Sequence, residues 1–251
     1  MNRKRLAVAL CAAILALPAV LPALPAVSFW LDGESGAVFT GYNDVQIPDD
    51  TGTRISLSED LSADPAWFYR LRVGADLGRH SVSLLFAPLV VRSEGTLDGP
   101  VDFDGATFAA ATPLDARFRF NSYRLTYAYT LYDSPALSLA VGLTGKIRDA
   151  SISLEGGGSE AERSNLGFVP LVHLRAHWRF LPAWGLLIEG DGLAAPQGRA
   201  EDFFGGLTWA AAPGVTLRAG YRILEGGSDG GGSVYTFSAF HYVTAGLRWT
   251  F

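Results

Sequence analysis

Sulfur is almost absent from this sequence. Among 251 residues there is one cysteine, Cys11, and one methionine, Met1. Both lie near the N-terminus, so a mature chain without that segment has no thiol nucleophile, no disulfide and no thiolate metal site. Histidine is scarce at four residues, and charged residues make up 18 % of the chain against 49 % hydrophobic. Acids outnumber bases 25 to 20, a net charge of −5, and that sign disfavours binding to a phosphate backbone, so no nucleic-acid partner is expected. Beyond residue 28 a long apolar run is also missing. The longest stretch there without formal charge, Gly230 to Leu247, is rich in Gly, Ser and Thr and alternates in polarity, so no spanning helix is expected.

What is present first is a leader. Arg3, Lys4 and Arg5 precede an uncharged stretch from Leu6 to Val27, which ends in the small residues Ala26 and Ser28. A basic start, an apolar stretch and a small-residue cleavage site are the parts of a secretory signal peptide, expected at residues 1–28 and cut after Ser28. Pro18, Pro22 and Pro25 oppose a retained helical anchor, because each removes a helical hydrogen bond and crowds the preceding turn. Cys11 follows Leu10, not the small residue that lipidation would need. Cleavage leaves residues 29–251 as one domain, in which 17 bases face 25 acids and the net charge becomes −8.

Within that domain polarity alternates with period 2, the mark of strands with one apolar and one polar face. In 164–180 the apolar set is Leu166, Phe168, Pro170, Val172, Leu174, Ala176, Trp178 and Phe180, and the polar set includes His173, Arg175, His177 and Arg179. Ten such strands are expected, near 31–47, 66–77, 81–92, 116–131, 137–153, 164–180, 185–195, 199–211, 215–225 and 234–251. Tight turns alternate with longer connections at 48–65, 93–115, 155–163 and 226–233, which are rich in Gly, Asp, Glu and Ser and are expected to be solvated. This pattern is that of an all-β, closed, antiparallel, up-and-down transmembrane β-barrel of about ten strands (about 8–12 admissible), with both termini at the periplasmic end.

Alternation does not say which face points out. A soluble barrel of the lipocalin type would keep the apolar face inside. The Arg-rich, glycine-interrupted polar face favours the reverse arrangement. So do the aromatics near strand ends on the apolar face, Trp67, Tyr69, Tyr129, Trp178, Trp209, Tyr235 and Trp249, which suit the girdles of a membrane barrel.

Val243, Ala245, Leu247, Trp249 and Phe251 are apolar at every second position and close on phenylalanine. They resemble the C-terminal strand of bacterial outer-membrane proteins, and with the leader the whole chain resembles a small outer-membrane β-barrel protein. The resemblance implies an outer-membrane location with its lipids as surroundings. It also implies the barrel-assembly machinery and periplasmic chaperones as transient partners, and the last strand as an insertion signal.

The inward face is expected to carry Arg70, Arg72, Arg124, Lys146, Arg148, Arg175, Arg179, Arg218, Arg222 and Arg248 against Asp32, Glu34, Asp76, Glu189, Asp191 and Asp202, with His173 and His177 among them. In a barrel only slightly wider than eight strands, guanidinium–carboxylate forks would plug the lumen. A narrow, basic pore for small anions is the alternative. The expected role is therefore structural or narrow-channel, without catalysis. The other readings are an outer-membrane lipid or peptide hydrolase with a site at the extracellular mouth, and a soluble ligand-binding barrel.

The hydrolase motifs are incomplete. Asp102-Phe103-Asp104 resembles the acidic half of the site in the ten-stranded omptin proteases, but no Asp-x-His, their other half, occurs here. The lipid A deacylase barrels carry His-x-Ser on a strand, and after His241 that serine position holds Val243. His173 and His177 lie four apart on a strand, about 13 Å, too far to share a metal. Asp98, Asp102 and Asp104 could offer calcium their carboxylates, although a solvated acidic loop needs no ion. No cofactor and no metal are expected.

Overall fold

The computed structural model describes residues 26–231 and 233–251. The expected leader lies outside the described residues as far as Pro25, while Val27 and Ser28 already open the first strand. The wall strands are β1 Val27–Gln46, β2 Ala66–Leu77, β3 His80–Ala87 continued by Val90–Thr96, β4 Pro113–Asp133 and β5 Leu137–Gly156. They continue with β6 Ser159–Arg179, β7 Trp184–Ala195, β8 Gly198–Ala212, β9 Val215–Ser228 and β10 Tyr235–Thr250. Each pairs antiparallel with the next, and β10 closes the ring on β1 from Trp30↔Thr250 to Gln46↔Tyr235. The fold is a closed ten-stranded barrel. Among the described residues no helix is long and apolar enough to cross a membrane.

Three local expectations are corrected. Residues 155–163 are not a loop: β5 and β6 run on to a turn of Gly157 (φ +58°) and Gly158 (φ +84°), and two glycines supply the positive φ angles that a two-residue hairpin demands. Pro88 splits the third strand between Ala87 and Val90, because it has no N–H for the ladder. Gly226 and Gly227 do not end β9. Both stay paired with β8 and β10, and a Cβ on Gly226 would meet the Arg199 carbonyl at 2.4 Å.

The inward face is not uniform. In its lower part it carries charge. In its upper part Val38, Phe68, Val91, Phe118, Ile152, Leu154, Phe240 and Tyr242 turn inward into a packed apolar core. Two connections expected to be solvated complete that core: Ile55, Leu57 and Leu61 tuck in from 47–65, and Phe103 and Phe108 from the small hairpin Val101–Phe103/Ala106–Phe108. Their charged neighbours face water, which is why composition alone reads these segments as loops. On the outer wall Leu71, Leu125, Leu143, Val172 and Val243 are exposed, forming a lipid-facing belt. Aromatics edge it above (Tyr69, Phe86, Tyr123) and below (Trp178, Trp184, Trp209, Trp249).

Candidate functional site

Five buried acids organise the lower lumen, Asp32 and Glu34 on β1, Glu189 and Asp191 on β7, and Asp202 on β8. Arg222 on β9 donates through Nε (2.7 Å) and Nη2 (2.9 Å) to Glu34 and through Nη1 (2.6 Å) to Asp202. Asp202 also receives Arg124 at 2.6 Å from β4 and Arg70 at 3.0 Å from β2, so its partners reach across the lumen. Arg124 further donates to Asp191 at 2.7 Å, which also accepts from His173 Nδ1 (2.9 Å) and Thr144 (2.8 Å). Arg218 forks onto Asp32 (2.6 and 2.8 Å) and reaches Glu34 (2.9 Å). Glu189 takes Arg72 at 2.5 Å and Arg175 at 3.5 Å. Such a network is costly to desolvate and costly to break; here four of the five acids meet at least two cationic or hydroxyl side chains and Asp32 takes both arms of the Arg218 fork, which is what makes their burial tolerable.

Other residues on the same face stand apart. Near the bottom, Arg248 pairs with Asp76 at 3.2 Å and lies 3.9 Å from the Trp30 ring. Arg179 donates to the carbonyls of Ser134 and Pro135 and braces the β4–β5 turn, and His177 meets the Thr208 hydroxyl at 2.9 Å. Higher up, Arg148 donates to Asn165 at 2.5 Å, and the Lys146 ammonium lies 4.6 Å over the Phe120 ring. Thr144, Ser122, which accepts from Arg124 at 2.9 Å, and Phe204, which lies under Arg218 and Arg222, belong to the network as well. A search for charged residues passes over them, but their inward parity was available.

Val243, Ala245, Leu247, Trp249 and Phe251 all face outward and are exposed. The backbone of Phe251 is zipped to Phe29 (2.8 and 3.1 Å), and its ring stacks on that of Phe29.

Asp102 accepts from Thr107 at 2.6 Å and Asp104 pairs with Arg163 at 3.3 Å. Among the described residues, no three His, Cys, Asp or Glu side chains gather as a metal site. Above the belt, Arg199 donates three bonds of 2.6–3.0 Å to Glu225, which also accepts from Tyr42. The Arg199 hydrogen bonds hold the Glu225 carboxyl below its ordinary value. A cavity of about 510 Å³ opens in the upper barrel beside Lys146 and Arg148.

With a closed ten-stranded ring and an apolar outer belt, the protein has the fold of an outer-membrane β-barrel. The chain is similar in fold to the outer membrane protease OmpT from Escherichia coli, with a TM-score of 0.57, 10 % identity, and coverage of 89 % of this chain and 97 % of that one. Neisserial surface protein A also matches, at TM-score 0.36 and 14 % identity over 90 % of this chain and 99 % of its own. Ail, the attachment invasion locus protein of Yersinia pestis, matches at 0.40 and 11 % over 91 % and 100 %. No protein-family model matches the chain, and neither does any curated protein sequence.

Proposed function

We propose that this protein is a non-catalytic, non-conducting barrel of the outer membrane, a structural wall that holds a packed extracellular cap. The observation that carries the reading is the convergence of Arg70, Arg124 and Arg222 on Asp202 from separate strands. It closes the mid-lumen with fixed ion pairs, and the apolar core above closes it a second time. A narrow pore would need a continuous polar path, and at the mid-lumen constriction the cations are already bonded to acids and leave no site for a passing anion. Absence of catalysis is supported by the histidines: His80 is engaged with Tyr127, His173 with Asp191, His177 with Thr208 and His241 with Tyr221. None of them joins Asp102 or Asp104.

The test is planar-bilayer recording of the refolded mature chain beside a lipid and peptide hydrolysis screen. No unitary conductance and no turnover are expected. Discrete steps in the wild type would overturn the sealed lumen, and turnover would overturn the non-catalytic role. The same reading makes outer-membrane lipids the permanent surroundings, and the assembly machinery and periplasmic chaperones transient partners. Deleting Phe251 should then lower insertion yield more than it lowers the stability of assembled barrels.

A further inference from the structure

The wall is incomplete at one place. β6 pairs with β5 along its whole length, but with β7 only from Val172 to Arg179, and β7 ends at Ala195 to turn back into β8. Above the Val172↔Gly192 pair the edge of β6 facing β7 has no ladder partner among the described strands, which leaves a slot between it and the tip of the β7–β8 hairpin. Behind the slot lies the 510 Å³ cavity, with Phe168, Pro170, Leu193 and Ala195 at the rim and Phe120 and Lys146 within. The rim sits at the upper edge of the lipid-facing belt, where Phe168 is 71 % exposed. Open sheet edges are tolerated at membrane depth only where they line a cavity.

Lys146 is 2 % exposed, and among the described residues no carboxylate or other acceptor bonds its ammonium, whose contact is the Phe120 ring. Arg148 beside it has a buried Nε without an acceptor. Most other buried bases of the lumen meet an acid, so this pair breaks the rule of the network. A buried ammonium with no acid bonded to it is costly in itself, and Lys146, with the half-buried Arg148 beside it, faces an apolar chamber that opens sideways. We propose that the cavity binds a single-chain anionic amphiphile from the outer leaflet, its carboxylate or phosphate on Lys146 and Arg148 and its aliphatic chain leaving through the β6–β7 slot. The volume lies within the roughly 300–1,000 Å³ of small-ligand sites, and the apolar rim disfavours a soluble anion.

The proposal does not depend on a sealed lumen, and its readout is not conductance. The mature chain in phosphatidylcholine nanodiscs is titrated with spin-labelled stearate, spin-labelled lysophosphatidate and the methyl ester of the labelled stearate, and the immobilised fraction is read by electron spin resonance. An immobilised component at least about tenfold stronger for an anionic probe than for the ester is expected, and the tighter of the two anions names the head group. Lys146→Met should reduce binding to the level of the ester. Ala195→Trp, at the slot rim with both cations intact, should reduce it too. Equal immobilisation of anion and ester, or wild-type binding in Lys146→Met, would overturn the proposal. Should Lys146→Met not yield a heat-modifiable barrel, wild-type binding in Ala195→Trp would do so alone.

Discussion

Two parts of one strand hold the lesson of this barrel. In β4, Leu114, Ala116 and Phe118 point inward and Asp115 and Arg117 outward; a few residues on, Ser122 and Arg124 point inward and Tyr123, Leu125 and Tyr127 outward. Parity never changes, yet the chemistry of the two faces exchanges. Below, the outer solvent is hydrocarbon, so the outside is apolar and the inside must satisfy its own charges. Above, the outer solvent is water, and the strand packs like that of a soluble barrel. The crossing is marked by the Tyr69–Phe86–Tyr123 contacts, with the Arg119–Asp149 pair (2.8 Å) just beyond them. The alternation therefore takes both orientations in one membrane barrel, apolar side outward in the lower half of the wall and inward in the upper half.

The largest effects are expected at inward positions, for a different reason in each half. Arg222→Leu removes three bonds to Glu34 and Asp202 and leaves buried acids underpaired, at a cost of about 3–5 kcal/mol. Phe240→Ala opens a cavity in the upper core where Phe240 packs on Phe118, at a similar cost of about 3–5 kcal/mol. Urea midpoints of the barrel in lipid measure both. An Arg222→Leu protein with the wild-type midpoint would dissolve the distinction between a charged lower core and an apolar upper one.

Outward positions should split more sharply. Leu125→Arg puts a charge into lipid and should cost about 2–4 kcal/mol. Arg117→Leu, on the same strand above the belt, should change stability by less than about 0.5 kcal/mol. Equal losses from the two would place the water boundary elsewhere.

Much of this was open to sequence reasoning, and what was not has physical causes. The strand at 66–77 falls where expected, because Trp67, Tyr69, Leu71 and Val73 alternate cleanly with Arg70 and Arg72. The upper core was hidden because Phe118 and Phe240 share a face with Arg124 and Arg248. Alternation reports that two faces differ, but not which solvent each meets. The connection expected at 93–115 read as solvated because Asp98, Asp102 and Asp104 frame Val101 and Phe103, which are buried. Sign and parity grouped Lys146 with the ion-paired arginines. Pairing runs across the lumen between residues far apart in sequence, as with Arg70 and Asp202, so only the assembled ring shows which base is left without an acid.

The smallest effect tests the outer surface of the upper half, where Arg199, Glu225 and Tyr42 meet. The Glu225 carboxyl lies below its ordinary value of 4.5, first because Arg199 hydrogen-bonds its ionised form. A carboxyl depressed in the folded state lends stability above its unfolded value, and that stability is lost as the pH falls through the folded value. Between about pH 6 and about pH 3 the unfolding midpoint of the wild type should therefore fall further than that of Glu225→Gln. Other carboxylates titrate over the same range, so the difference between the two proteins is the quantity to measure. With the Arg199 side chain 46 % exposed, water and salt screen the pair, and the difference should stay below about 1 kcal/mol and shrink as salt is added. Identical falls in both proteins would show that the pair contributes nothing. A difference as large as the loss from Arg222→Leu would mean that this surface is not in water, and the upper half would then have to be moved into the membrane.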